Sequence, residues 1–252
     1  MIIDTHSHII DEKITKSPKE VLQTFFDKGG DKYFAISTSF DDCEIVVDSC
    51  KNFKNAYPLV GIHPHFANTL NKNNLPKLEK LIKQAVGVGE IGLDYYYDFS
   101  DRNAQKQAFK LQLELARKYN KPINIHTRDA TEDTLNILKD FKDLKGIIHC
   151  FSGSVESAKE YIKLGFYLGI GGVVTFKKSE KIKEVVKEVG LEHIVLETDS
   201  PYLSPEPFRG QENEAYNVTL VAEFVAKLLN TTIDEVYTKT TENVFKIFDL
   251  KE

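Results

Sequence analysis

The sequence predicts an α/β fold in which eight parallel strands close into a TIM (β/α)8 barrel. Eight short segments rich in Val, Ile, Tyr and Phe alternate with helical patterns along the chain. This alternation favours a parallel sheet covered by helices. The chain has 252 residues, a typical length for one closed barrel, so a single domain over 1–252 is expected. An open, doubly wound sheet is the alternative that the pattern leaves open.

The predicted strands are short and mostly apolar. Several are apolar almost without interruption, as expected of parallel strands that are covered on both faces. In chain order they are IIDTH (2–6), YFAIST (33–38), PLVGIH (58–63), VGVGEIG (86–92), PINIHT (122–127), GIIHCF (146–151), FYLGIGG (166–172) and HIVLETD (193–199).

Helices are predicted between the strands and in the C-terminal tail. The first has Ser17 as a cap, Pro18 in its first turn and Glu20 three residues after the cap, which is typical of a helix start. Ser154 and Thr232 occupy equivalent starting positions in two later segments. The predicted helices cover 17–30, 102–120, 154–165, 214–230 and 232–248.

The charge of the chain limits the kind of partner it can bind. The net charge is −5, from 33 Lys and Arg against 38 Asp and Glu, which argues against bulk electrostatic binding to nucleic acid. The Lys-rich stretch 177–188 alternates charged and apolar residues at helical spacing, which indicates a solvated helix face. A local phosphate site in which metal ions supply positive charge remains compatible with this balance.

Cysteine usage and hydropathy point to a cytoplasmic protein. Cys43, Cys50 and Cys150 are odd in number and form no C-x-x-C motif, so a disulfide framework is not expected and a reducing compartment fits. The start of the chain lacks a basic segment before its short apolar stretch, and no uncharged run is long enough for a membrane helix. No membrane association and no obligate protein partner are therefore expected.

Polar residues gather where the predicted strands end, which is the end of such a barrel that carries the chemistry. The chain has seven histidines, and only His193 lies elsewhere, at the start of the last strand. Histidines scattered over a surface would not concentrate in this way. The strand-end residues are Asp4, His6, His8, His63, His65, Glu90, His126, Arg128, His149, Glu197 and Asp199.

These side chains together indicate a site for divalent metal ions. Unpaired buried carboxylates are costly, and a divalent ion would balance their charge. Nitrogen and oxygen ligands without thiolates suit Zn, Mn, Mg, Fe or Ni. The available ligands exceed what one ion takes, so we expect two ions bridged by Glu90, which lies near the middle of the set.

Strand adjacency divides the remaining ligands between the two ions. Strands 1 and 8 are neighbours in a closed barrel, which assigns His6, His8 and Asp199 to one ion. Strands 5 and 6 are neighbours as well, which assigns His126 and His149 to the other.

Each of these residues also has a purely structural interpretation when taken alone. His149 in an apolar strand fits a buried, hydrogen-bonded core histidine. Glu90 fits a buried carboxylate paired with Arg128, and Asp199 before Ser-Pro fits a helix cap. The metal interpretation rests on their common position at one end of the barrel.

A series of polar motifs runs in order along residues 4 to 210. It comprises DTHSH, GIHPH, GEIGLDYY, the R-x-x-Q-x-x-x-F-x-x-Q-x-x-x-A stretch from Arg102 to Ala116, PINIHTRDA, HCFSG and ETDSPYL. An isolated H-x-H is a weak signal, whereas this ordered series is specific. The series resembles the TatD family of metal-dependent deoxyribonucleases.

The resemblance implies a barrel of the metal-dependent hydrolase type and a two-metal phosphodiesterase acting on DNA, often from the 3′ end of a single strand. It implies that His63, His65 and Arg209 lie near the substrate phosphate. Its implied metal ligands are His6, His8, Glu90, His126, His149 and Asp199.

The chain departs from the family pattern just after Arg209. Where the family often has R-G-K-R-N-E-P, this chain has RGQENEA over 209–215. Gln211 and Glu212 thus replace a lysine and an arginine, and Ala215 replaces the proline. The loss of positive charge lowers the expected affinity for long DNA and leaves the hydrolytic residues in place.

Roles follow for individual side chains in such a reaction. Asp199 is the expected general base, because a carboxylate beside a metal-bound water is within proton reach. His63 or His65 is expected to contact the phosphate or assist the leaving oxygen. Arg128 is expected to position a ligand carboxylate. The rim tyrosines Tyr95, Tyr96 and Tyr202 are expected to stack on bases. Packing at the barrel mouth is the alternative for all four residues.

Two other functions fit parts of the pattern. One is a hydrolase on the same scaffold that cleaves an amide, lactone or ester, including an aminoacyl-nucleic-acid ester. Many such enzymes bridge their metals through a modified lysine on strand 4, where this chain has Glu90 and no lysine. The other is a metal-binding protein without catalytic activity, which would bind metal tightly and turn over no ester.

Overall fold

The computed structural model describes residues 1–250 and contains eight parallel strands within that range. All eight correspond to predicted segments. Their bounds are β1 (Ile3–Ser7), β2 (Lys32–Ile36), β3 (Ala56–Leu59), β4 (Val88–Asp94), β5 (Ile123–Arg128), β6 (Gly146–Ile148), β7 (Phe166–Ile170) and β8 (Ile194–Leu196).

The strands close into a barrel, as predicted. β1 to β3 pair in chain order, and so do β4 to β8, all in parallel. Two parallel bridges join these groups, Leu59 with Gly87 between β3 and β4 and Ser7 with Ser200 between the end of β8 and β1. The carboxyl ends of all eight strands therefore meet at one end of the barrel.

Nine α-helices connect or follow the strands within residues 1–250. The five predicted helices and the helix indicated by the Lys-rich stretch are present, whereas α2, α3 and α5 were not predicted individually. The bounds are α1 (Pro18–Asp27), α2 (Phe40–Cys50), α3 (Leu75–Ile82), α4 (Arg102–Lys118), α5 (Thr131–Leu138), α6 (Val155–Lys163), α7 (Glu180–Val189), α8 (Val218–Leu229) and α9 (Ile233–Phe248).

The predicted helix starts are formed by the side chains expected to cap them. Ser17 and Glu20 make a reciprocal capping box at α1. The Ser154 side chain caps α6, and the Thr232 side chain caps α9. In the Lys-rich stretch, α7 buries Ile182 and two valines and turns its charged residues outward, as the helical spacing predicted.

Three clusters of buried apolar residues hold the helices on the barrel. The largest joins the strands to the surrounding helices, with Phe109 of α4 and Val185 of α7 fully buried in it. A second cluster joins side chains of five strands to α9, where the rings of Phe34 and Phe248 lie 4.4 Å apart. No helix within residues 1–250 is long and apolar enough to cross a membrane.

Several strands end earlier than the sequence pattern predicted. β3 ends at Leu59, β6 at Ile148 and β8 at Leu196, so His63, His149 and Asp199 lie in the loops that follow. Apolar character extends past each strand end because these loops remain buried against the barrel. The sequence pattern therefore placed the strand ends too late, because buried loop residues are as apolar as strand residues.

Candidate metal centre

The carboxyl ends of five strands bring six side chains into one buried cluster. His6 lies on β1, and His8 is the first residue after that strand. Glu90 lies on β4 and His126 on β5, while His149 and Asp199 follow β6 and β8. His6, His8, Glu90 and His149 are buried, so their polar atoms face one another rather than water.

One oxygen of Glu90 faces His6 and His8. Its Oε2 lies 3.5 Å from His6 Nε2 and 3.9 Å from His8 Nε2. Asp199 Oδ1 approaches the same two nitrogens at 3.6 and 3.5 Å and lies 3.7 Å from His149 Nε2. Three imidazoles and two carboxylates thus surround one small volume.

The other oxygen of Glu90 faces a second group. Its Oε1 lies 2.8 Å from His126 Nδ1 and 3.5 Å from His63 Nε2. The far nitrogen of His126 lies 3.0 Å from Asp94 Oδ2, which is also 2.9 Å from His65 Nε2. Glu90 therefore stands between two sets of imidazoles, with one oxygen toward each.

The donor atoms fit a divalent ion. His6 Nε2 is buried and has no hydrogen-bond partner within residues 1–250. Its distances to Glu90 and Asp199 exceed a hydrogen bond, but two ligand atoms that share a tetrahedral ion at about 2.1 Å are separated by about 3.4 Å. The other ring nitrogen, Nδ1, lies 2.8 Å from Asn124 Oδ1, which turns Nε2 toward the cluster.

Two buried acidic residues contact the histidines or their backbone on the side away from the cluster. Glu197 Oε1 lies 3.0 Å from His149 Nδ1 and accepts the Cys150 backbone N–H at 2.6 Å. Asp4 accepts the backbone N–H groups of His6 and Thr198 through Oδ1 and the Thr198 hydroxyl through Oδ2. Both carboxylates are fully buried, so the loops after β6 and β8 are tied to the barrel.

The profile of the family described as "TatD related DNase" matches residues 3–249. The chain belongs to the TatD family. The match covers nearly the whole chain and includes every residue of the buried cluster.

Several known proteins match this chain over nearly its whole length. The uncharacterized metal-dependent hydrolase YabD of Bacillus subtilis is 38% identical, covering 98% of this chain and 99% of its own. The uncharacterized metal-dependent hydrolase YcfH of Escherichia coli is 34% identical, covering 99% and 96%. The solved structure of YjjV, a TatD homolog from Escherichia coli, superposes with a TM-score of 0.91 at 26% identity, covering 99% of this chain and 98% of that chain. This TatD chain is thus a metal-dependent hydrolase.

The charged groups of this buried cluster shift one another's pKa. Burial lowers the pKa of His149, but Glu197, Asp199 and Glu90 outweigh it and raise that pKa to about 10. Burial raises the pKa of Glu90, but the surrounding histidines hold it well below its usual range. Burial lowers the pKa of His63 well below its usual range despite the Glu90 charge.

Two residues that contact the histidines of this site had no role predicted from the sequence. Asp94 ends β4 and joins His65 to His126, and Asn124 lies on β5 two residues before His126. Alternation along a strand was the available signal, because Glu90 and Asp94 lie four residues apart and Asn124 and His126 two apart, which places each pair on one face.

Three residues predicted near the TatD substrate have other neighbours. The Arg128 guanidinium lies 3.8 Å from the Tyr96 ring and forms no ion pair within residues 1–250, so the expected contact with Glu90 or Glu197 is absent. The Tyr202 hydroxyl donates to Asp11 at 2.5 Å, and its ring centroid lies 6.4 Å from that of His8. The Arg209 guanidinium lies 4.3 Å from the centroid of the Phe176 ring.

Proposed function

We propose that this chain hydrolyses phosphodiester bonds of DNA at single-stranded 3′ ends, with two divalent ions held in the buried cluster. The observation that carries the proposal is Glu90, whose two carboxylate oxygens face different groups of imidazoles. A bridging carboxylate of this kind is typical of paired metal sites that act on phosphate esters. The family description as a DNase supports DNA as the substrate class.

The ligands divide between the two oxygens of Glu90. His6, His8 and Asp199 would hold one ion on the Oε2 side. His126 would hold the other on the Oε1 side. His149 Nε2 lies 3.7 Å from both Glu90 Oε1 and Asp199 Oδ1, so it stands between the two positions. Its ring centroid lies 3.4 Å from that of His6 and 6.3 Å from that of His126. We assign it to the second position because β5 and β6 are neighbours.

Divalent ions bound here would lower the pKa of a water molecule and neutralise charge that develops on the phosphate. Asp199 Oδ1 faces three imidazole nitrogens, so the other oxygen of this carboxylate is the one that would accept a proton from the attacking water. Its side chain retains 16% exposure, which leaves access from the barrel mouth. His126 is held between Glu90 and Asp94, so its ring cannot swing away.

His63 fits a hydrogen-bond donor to the phosphate better than an acid. The backbone N–H of His65 donates to His63 Nδ1 at 3.2 Å, so the neutral ring carries its proton on Nε2. Burial lowers the pKa of His63, which keeps the ring neutral at pH 7. The Nε2–H then points into the cluster, where it can donate to a phosphate oxygen or to the leaving oxygen.

The test is cleavage of a 5′-labelled single-stranded oligonucleotide by chain that has been stripped of metal and reconstituted with Mg, Mn, Zn, Ni or Fe. We expect a metal-dependent ladder that shortens from the 3′ end. If internal fragments appear first, the chain is an endonuclease and the exonuclease part of the proposal is wrong. If the chain cleaves ester, lactone or aminoacyl substrates but leaves DNA uncleaved, the proposal is wrong.

Metal binding is expected to release protons. In the metal-free chain, burial lowers the pKa of His8 and His126, but neighbouring carboxylates outweigh it and raise both, as they raise that of His149. A raised pKa increases the fraction of rings that hold a proton at neutral pH, whereas a metal needs the unprotonated nitrogen. The apparent affinity should therefore fall as the pH is lowered.

Calorimetric titration with Mn or Zn at pH 7, in buffers of different ionisation enthalpy, counts these protons. We expect at least one proton released per chain. His193→Gln is the matched control, because His193 lies at the opposite end of the barrel, and it should release the same number. Release of no protons would contradict the assignment of these histidines as ligands.

A further inference from the structure

An exposed group of aromatic rings lies beside the buried cluster. Tyr96, Tyr97 and Phe99 follow β4 and are 58%, 47% and 65% exposed. The rings of Tyr97 and Phe99 are stacked, with centroids 5.2 Å apart, and Tyr96 meets Tyr97 edge-on at 4.9 Å. Clustered exposed aromatic side chains mark interaction sites. These three residues are called the aromatic platform below.

A short chain of contacts joins the aromatic platform to the cluster. The His65 ring lies 4.8 Å from that of Phe99 and 5.4 Å from that of Tyr97. His65 is linked through Asp94 to His126, which contacts Glu90. If the scissile phosphate lies at Glu90, the adjoining nucleotides of the strand would reach the aromatic platform.

A positive charge lies on the aromatic platform. The Arg128 guanidinium carbon is 3.8 Å from the centroid of Tyr96 and 4.8 Å from that of Tyr97, and no carboxylate pairs with it within residues 1–250. Stacking on the rings leaves the edge donors of a guanidinium free for a phosphate.

A polar cleft of about 350 Å³ opens next to the aromatic platform. Tyr96 and Arg128 line it together with Lys181 of α7, which has no ion pair in the described chain. The fully buried Tyr161 also lines it, and the Tyr161 hydroxyl has no hydrogen-bond partner among residues 1–250. Asp129 is the acidic residue in the lining, so cationic side chains outnumber carboxylates there.

We infer that the aromatic platform and the cleft form a subsite for an unpaired nucleotide next to the scissile bond. This inference rests on the proposed function and adds how single strands are selected. The base stacks on the platform, and the adjoining phosphate contacts Arg128 and Lys181. Base pairing and stacking in a duplex would keep the base from these rings, whereas any base in a single strand can stack on them.

The decisive experiment compares two labelled oligomers of equal length, thymidine DNA and the same backbone with abasic residues. Both carry the same phosphates, so only the bases differ. Kd is measured by fluorescence anisotropy in the presence of a chelator, and KM and kcat are measured with metal. The wild-type chain should bind the thymidine oligomer more tightly, because base stacking contributes about 5- to 150-fold per base.

Tyr97→Ala combined with Phe99→Ala should remove this preference. We expect Kd and KM for the thymidine oligomer to rise about tenfold or more, with little change for the abasic oligomer or in kcat. Both side chains are exposed, and an unchanged melting temperature will show that the variant is folded. Equal losses on both oligomers, or no preference in the wild-type chain, would overturn the inference.

The cleft is tested separately by Lys181→Ala, with Lys187→Ala as its control on the same helix. Lys181→Ala should weaken binding of both oligomers and reduce the dependence of log Kd on log salt by about 0.7, as for one phosphate contact on a single strand. An equal effect of the two variants would overturn the role of the cleft.

The outcomes separate this subsite from the proposed function. A wild-type chain that cleaves DNA without preferring bases refutes the subsite and leaves the nuclease. A chain that cleaves no phosphodiester, including a small nitrophenyl diester, refutes the nuclease. The anisotropy comparison still decides whether the platform binds bases.

Discussion

Replacement of Glu90 by glutamine is expected to lower hydrolysis by at least about 10²- to 10³-fold, the loss seen when one electrostatic stabiliser of a transition state is removed. Glutamine has nearly the same shape but no charge, and its NH2 group cannot bind a metal ion. Since each oxygen of Glu90 faces a different set of imidazoles, the change affects both proposed ion positions. Metal content by mass spectrometry should fall together with kcat.

Glu192→Gln provides the matched control for this prediction. Glu192 is exposed and lies just before β8, at the end of the barrel opposite the cluster. This variant should retain the wild-type metal content and kcat. If Glu90→Gln kept both its metal and its activity, Glu90 would be a structural carboxylate and the two-ion arrangement would be wrong.

Replacement of Asp4 by alanine is expected to destabilise the fold by about 3–5 kcal/mol, because several buried donors would lose their acceptor. The donors are the backbone N–H groups of His6 and Thr198 and the Thr198 hydroxyl. Asp4, His6 and Thr198 are all fully buried, so water cannot replace the carboxylate. Urea unfolding at equilibrium, in the presence of a chelator, measures the change without the contribution of bound metal.

Asp4→Asn separates hydrogen bonding from charge. The amide keeps one acceptor oxygen and can donate to Thr198 Oγ1, so we expect a smaller loss than for alanine. An alanine variant as stable as the wild-type chain would show that the link between β1 and the loop after β8 contributes little to the fold.

Agreement between sequence and structure is best where a local pattern controls the outcome. Ser17 and Glu20 form a capping box because both lie within one turn of the same helix. Glu90 and His126 lie on neighbouring strands, and parallel pairing alone brings them to the same end of the barrel. The roles of Asp94 and Asn124 were missed because alternation shows which face a side chain shares and not which partner it contacts.

By itself, the sequence determined the eightfold alternation and the strand ends at which six of seven histidines gather, and it favoured a closed barrel over an open sheet. These features depend on periodicity and on connections between neighbouring elements. Only the tertiary structure decided that Glu90 divides the imidazoles between its two oxygens, that Asp94 joins His65 to His126, and that Arg128 lies on the aromatic platform instead of pairing with Glu90. The physical reason is that such contacts depend on strand stagger and loop direction, and small differences in either move a side chain from one partner to another.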